Sequence, residues 1–196
     1  LRPGHANYTY LEKYGIFDYR GGGRSSARET ACRVAAGAIA KKLLEQQGIR
    51  LIAYIKQIGS VEALVEAAIS NFESIHTSTL ESPVFCPDVQ ATSAITALIE
   101  KTKLAGDSLG GIVEFVALAL PAGLGDPVYE KLESKLAQAM MSLPATKGFE
   151  IGSGFQSASM SGSEHNDLFT KDSGEVKTHT NYAGGTLGGI STGMPV

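Results

Sequence analysis

The 196-residue sequence predicts a layered domain that mixes helices and strands, of α+β or α/β class. Segments of helical period alternate with apolar or alternating runs of strand length, in the order helix, strand, helix, strand, helix, strand. Turns bearing glycine or proline separate them, and 43% hydrophobic residues supply material for a real core.

Arg2-Pro3-Gly4 is turn chemistry, so His5 is expected on a loop, where an imidazole can carry a proton near neutral pH. Tyr8, Tyr10, Tyr14, Phe17 and Tyr19 follow and read as core packing or as a wall for a planar ligand. Then comes Arg20–Gly37, RGGGRSSARETACRVAAG. Ser26 and Glu29 have the S-x-x-E spacing of a capping box, which predicts a helix starting at Ala27. Glycines ahead of a helix N-terminus, with Arg20, Arg24, Arg28 and Arg33 around them, make either an anion-binding loop or a surface turn with solvated arginines. The helix is expected to be buried, through Ala31, Val34, Ala35, Ala38, Ile39 and Leu43, and to end near Gln46 with Gly48 as its stop.

Ile49–Ile58 reads as a strand, with Ile49, Leu51, Ala53 and Ile55 on one face and Arg50, Ile52, Tyr54 and Lys56 on the other. Val61–Phe72 has a weak helical pattern, and residues 73–88 read as an irregular excursion in which His76 is solvated. Asp88 can cap a helix from about Val89 to Ala105. Gly110–Leu120 is the strongest strand signal. Asp126-Pro127 is expected to open an amphipathic helix over Pro127–Leu143, and Phe149–Phe155 reads as a short strand. Residues 156–180, rich in serine, glycine and charge, read as a mobile loop, with no role for His165 or His179. Asn181–Gly193 carries Gly184-Gly185 and Gly188-Gly189, a second place where backbone can approach a ligand closely.

A net charge of −3 gives no general affinity for nucleic acid, and the local arginine cluster points to a small anionic ligand. Cys32 and Cys86 lack metal or redox spacing; Cys32 reads as core, and the expectation is a reduced, cytoplasmic protein. No apolar run is long enough to span a bilayer, so no membrane partner is expected. The phosphate-loop and dinucleotide fingerprints are both missing. Leu1 and Val196 read as cut ends, so residues 1–196 are expected to be a single domain from a longer protein.

Several segments together resemble one family. RPGHANYTYLEKYGIFDY at Arg2–Tyr19 and RGGGRSSARETACRVAAGAIAKK at Arg20–Lys42 are similar to the chorismate synthases. GDSLGG at Gly106–Gly111, LPAGLGDPVYEKL at Leu120–Leu132, KGFEIGSGF at Lys147–Phe155 and NYAGGTLGGISTG at Asn181–Gly193 agree in the same order. The resemblance implies an α+β fold, a β-α-β sandwich with helices packed between antiparallel sheets, and a homotetramer. It implies a lyase that eliminates phosphate and a ring proton from 5-enolpyruvylshikimate 3-phosphate to give chorismate, using reduced FMN. It brings NADP into the expectation and leaves open whether the reduced flavin is supplied or regenerated.

By the same resemblance, His5 is the family's second catalytic histidine, a proton donor to the reduced flavin. Arg24, Ser25 and Ser26 match a flavin-contacting triplet, Arg28 faces the substrate, and Gly188 matches a glycine lying against the flavin. Pro144-Ala145 stands where other members often have Asn-Ala beside the flavin; the proline removes an N–H and a side-chain amide. Asn7 replaces a more usual Asp, and Tyr182 a common His. The family's G-E-S-H-G and K-P-T-S-S segments do not occur in these residues, so the chain alone is expected to be inactive or to act as a non-catalytic flavin- or phosphate-binding module.

Overall fold

The computed structural model describes residues 1–65, 71–172 and 174–196. In chain order the elements are α1 (Asn7–Tyr14), α2 (Thr30–Gln46), β1 (Arg50–Ile58), β2 (Val61–Glu62), α3 (Phe72–Glu81), α4 (Val89–Leu104), β3 (Gly111–Leu118), α5 (Leu132–Met141), α6 (Gly162–His165), β4 (Phe169–Asp172), β5 (Glu175–Thr178), β6 (Thr186–Leu187) and β7 (Ile190–Ser191). They fall into two compact units, Leu1–Gln47 with Leu136–Phe149, and Gly48–Lys135 with Glu150–Val196.

The second unit carries the core. β1 pairs antiparallel with β3 from Arg50↔Leu118 to Ile58↔Gly111, and with β2 on its other side. Every strand pair is antiparallel among the described residues, which selects α+β over α/β. One face of β1 presents Ile52 and Tyr54 to Phe72 and Ile75 of α3, and Val116 and Leu118 of β3 pack against the same cluster. The Tyr54 hydroxyl donates to Glu114 across the strands; burial, then that carboxylate, pushes the phenol well above its usual range. Arg50 lies 3.9 Å from the centre of the Phe72 ring and pairs with Glu73. The register shifts between Ile55 and Gln57, and Ile55, still paired with Val113, turns its N–H to the Phe85 carbonyl at 2.9 Å. Beyond it, Ala63, Cys86, Ala91 and Ile95 form a second cluster that seats α4. Asp88 caps α4 as its sequence position predicts, accepting from Gln90 N–H at 2.8 Å and Ala91 N–H at 3.0 Å.

Several expectations are corrected. Residues 73–88 are not irregular throughout: α3 occupies Phe72–Glu81, held by Phe72, Ile75 and Thr79 facing inward. His76 is half-buried and stacks on Phe72 at 6.1 Å. The helical reading of Val61–Phe72 lies partly outside the described residues, and its first two residues are β2. Asp126-Pro127 does not open a helix; Val128 takes φ +65°, and α5 starts at Leu132. Phe149–Phe155 is not a strand, because Gly152 and Gly154 adopt positive φ and a 3-10 turn follows over Gly154–Ser159. Residues 156–180 hold regular structure where none was expected. A capping box between Ser161 and Glu164 starts α6, and β4 and β5 pair from Phe169↔Thr178 to Asp172↔Glu175.

In the first unit α1 ends at Gly15 in the left-handed conformation. α2 is exposed along its length rather than buried: Val34, Ile39 and Leu43 are 72%, 66% and 59% accessible, and Cys32 is exposed. Among the described residues no helix is long and apolar enough to cross a membrane.

Candidate active site

The glycine loop is shaped by its own side chains. Gly21, Gly22 and Gly23 have φ of +129°, +85° and +50°, a path open to glycine at little cost. Ser25 Oγ donates to the Gly22 carbonyl at 2.6 Å, and the Arg28 guanidinium donates to the Gly21 carbonyl at 3.3 Å. Arg20 bonds Asp18 through its N–H (2.9 Å) and its Nε (3.2 Å), which holds that carboxyl below its usual range. The capping box predicted from Ser26 and Glu29 is not formed. Ser26 Oγ accepts from Arg28 N–H at 3.4 Å, while both Glu29 carboxylate oxygens lie 3.2 Å from Arg24 Nη1. The competing ion pair draws Glu29 away from the cap, and a 3-10 turn over Ala27–Glu29 precedes α2.

An open cleft of ≈ 1020 Å³ lies in this unit. His5 and Tyr8 line it from the N-terminal loop and α1, Ser25 and Ser26 from the glycine loop, and Pro144, Ala145 and Lys147 from the segment after α5. Five of the sequence-predicted residues therefore meet in one place: His5, Ser25, Ser26, Pro144 and Ala145. Arg24 and Arg28 stand beside it, outside its lining, and Gly188 belongs to the second unit. His5 Nδ1 accepts the Asn7 N–H at 3.2 Å, and the Arg2 guanidinium contacts Nε2. Both ring nitrogens face N–H donors, so a proton on Nε2 requires Arg2 to turn away. Arg33 of α2 donates to Ser142 through Oγ (2.9 Å) and the carbonyl (3.3 Å), two residues before Pro144. Ala145 has φ +66°, a strained non-glycine conformation at the cleft wall. The lining contains no Asp or Glu. Tyr8, one of the aromatics read as core packing or as a ligand wall, lies on the cleft; Lys147 was missed, because only the fold brings it there.

In the second unit the glycine-rich segments cross. Ser153 N–H bonds the Tyr182 carbonyl at 2.8 Å, and a Cβ on Gly184 would sit 2.4 Å from the Gly152 nitrogen. Gly184, Gly185 and Gly189 are thus explained by protein packing, whereas a Cβ on Gly188 meets nothing within 4 Å. Asp167 fixes this crossing, accepting from Thr180 Oγ1 (2.6 Å), Tyr182 N–H and Ala183 N–H (both 2.8 Å). His165 bonds Ser153 at 2.9 Å and stacks on Tyr182 at 5.9 Å.

The structure therefore defines an α+β protein whose first unit offers a cationic cleft with a histidine, two serines and a glycine loop on its walls. The chorismate synthase family model matches residues 1–196, and the chain belongs to that family. Chorismate synthase of Protochlamydia amoebophila is 55% identical over 198 residues, covering 100% of this chain and 54% of the relative. That of Trichodesmium erythraeum is 51% identical over 194 residues, covering 98% of this chain and 51% of the relative. A crystal structure of chorismate synthase superimposes with a TM-score of 0.90 at 35% identity, over 97% of this chain and 60% of that one. The chain spans about half the length of the curated relatives it matches.

Proposed function

We propose that residues 1–196 form a single domain, the central portion of a chorismate synthase, which eliminates phosphate and a ring proton from 5-enolpyruvylshikimate 3-phosphate to give chorismate. The observation that carries the reading is the cleft, which gathers five separately expected residues and no carboxylate. That lining fits a flavin phosphate and an anionic substrate, and its volume admits an isoalloxazine-sized ligand. Reduced FMN, when bound, would supply electron density that helps phosphate depart. Ser25 and Ser26 would hold the flavin through hydroxyl and backbone groups, with Pro144 and Ala145 as a wall. Gly188, open on its outer side, is proposed to lie against the flavin.

Arg24 and Arg28 would exchange their present partners, Glu29 and the Gly21 carbonyl, for cofactor and substrate anions. With Arg2 drawn to an anion, His5 is free to carry its proton on Nε2 and deliver it into the cleft. Residence in the cytoplasm, a homotetramer and a link to NADP complete the proposal.

The 196 residues alone are proposed to be inactive, since elimination needs partners on both sides of the ring. The test is anaerobic phosphate release from 5-enolpyruvylshikimate 3-phosphate with reduced FMN. The chain alone should release none. The same chain joined to a G-E-S-H-G-bearing segment before it and a K-P-T-S-S-bearing segment after it should release phosphate. Silence from the joined protein would overturn the lyase reading, and release by the 196 residues would overturn the inactivity.

A further inference from the structure

We infer that Lys147 is a phosphate-binding residue of the cleft. It lines the cleft together with Pro144 and Ala145, because the left-handed Ala145 reverses the chain there. The arginines of this unit have partners of their own: Arg2 meets His5, Arg20 Asp18, Arg24 Glu29, Arg28 the Gly21 carbonyl and Arg33 Ser142. Among the described residues Lys147 has neither a hydrogen bond nor an ion pair, and no carboxylate lines the cleft to neutralise it. An ammonium group with no partner breaks no protein contact when it meets a ligand oxygen, and its compact charge suits a phosphate dianion. The arginines must each give up a bond first.

The identity of the ligand rests on the proposed function; the anion chemistry does not. Flavin phosphate and substrate phosphate offer the same group, and the experiment separates them. Binding of FMN, riboflavin, 5-enolpyruvylshikimate 3-phosphate and inorganic phosphate is measured by fluorescence and phosphorus NMR for the 196-residue chain. The variants are Lys147→Met, Lys147→Arg and, as a control on the exposed side of α4, Lys103→Met. Lys147→Met should weaken inorganic phosphate binding about tenfold, the usual scale for one lost charged hydrogen bond. FMN weakened with riboflavin unchanged assigns the flavin phosphate; the substrate weakened instead assigns the substrate phosphate. Lys147→Arg should retain binding, and Lys103→Met should match the parent. Unchanged phosphate binding in Lys147→Met, an equal loss in Lys103→Met, no rescue by arginine, or a parent that binds none of the anions overturns the inference. A parent that binds phosphate through Lys147 but not FMN sustains it while removing the flavin reading.

Discussion

Asp167 shows how one carboxylate sets a local structure that its neighbours in sequence do not announce. Burial pushes its carboxyl upward, but the Thr180 hydroxyl, the Ala183 and Tyr182 N–H groups and the adjacent His165 outweigh that and hold it below the usual range. Its donors lie 13 to 16 residues downstream, so no spacing rule finds them. Asp88, by contrast, bonds N–H groups two and three residues on, and its cap was legible. A depressed native value means that ionised Asp167 contributes stability above its unfolded value near pH 4. That contribution is lost as pH falls through the native value. Asp167→Asn should therefore melt at a lower temperature than the parent at pH 7, and the gap should close as pH falls below about 4 and through the lowered native value. Circular-dichroism melts across that range check it. A gap independent of pH would mean that shape, not charge, holds the crossing.

At the scale of elements, legibility followed local signals. α4, with its cap, and the strongly apolar β1 and β3 were found in place. α3 and the β4–β5 hairpin were missed because short polar segments owe their order to the partners they meet. The S-x-x-E spacing read at Ser26 gives no box, because Arg24 captures Glu29, while the same spacing at Ser161, passed over in a segment read as loop, does form one, with the Glu164 carboxylate accepting the Ser161 N–H at 2.8 Å. Glycines were the hardest to read, since a sequence treats Gly184 and Gly188 alike. Gly184→Ala would drive a Cβ into the Gly152 backbone, so it should destabilise the chain by about 3 kcal/mol or more. Gly188→Ala faces open space at φ +61° and should cost only about 1 kcal/mol, for the left-handed conformation. Urea titrations of the two variants test the contrast, and equal losses would refute it.

At the scale of the whole molecule, the sequence names residues that share a cleft but misjudges the burial of the helix α2. The family resemblance names His5, Ser25, Ser26, Pro144 and Ala145, and all five line one cleft, whereas the apolar spacing of α2 predicted a buried helix and the structure exposes it. Spacing reports that a face is apolar, not what covers it. With Val34, Ile39 and Leu43 open to water among alanines, α2 exposes apolar side chains on more than one of its sides, and large exposed apolar surface drives association. The 196-residue chain should therefore associate with itself as its concentration rises, in sedimentation velocity, and should bind a hydrophobic dye. Val34→Glu combined with Ile39→Lys should return it to a monomer and abolish dye binding. Neither side chain contributes to a core, so the melting temperature at low concentration should stay unchanged. A large fall in that temperature would show that α2 is packed after all, and a parent chain that stays monomeric would show that this surface is inert.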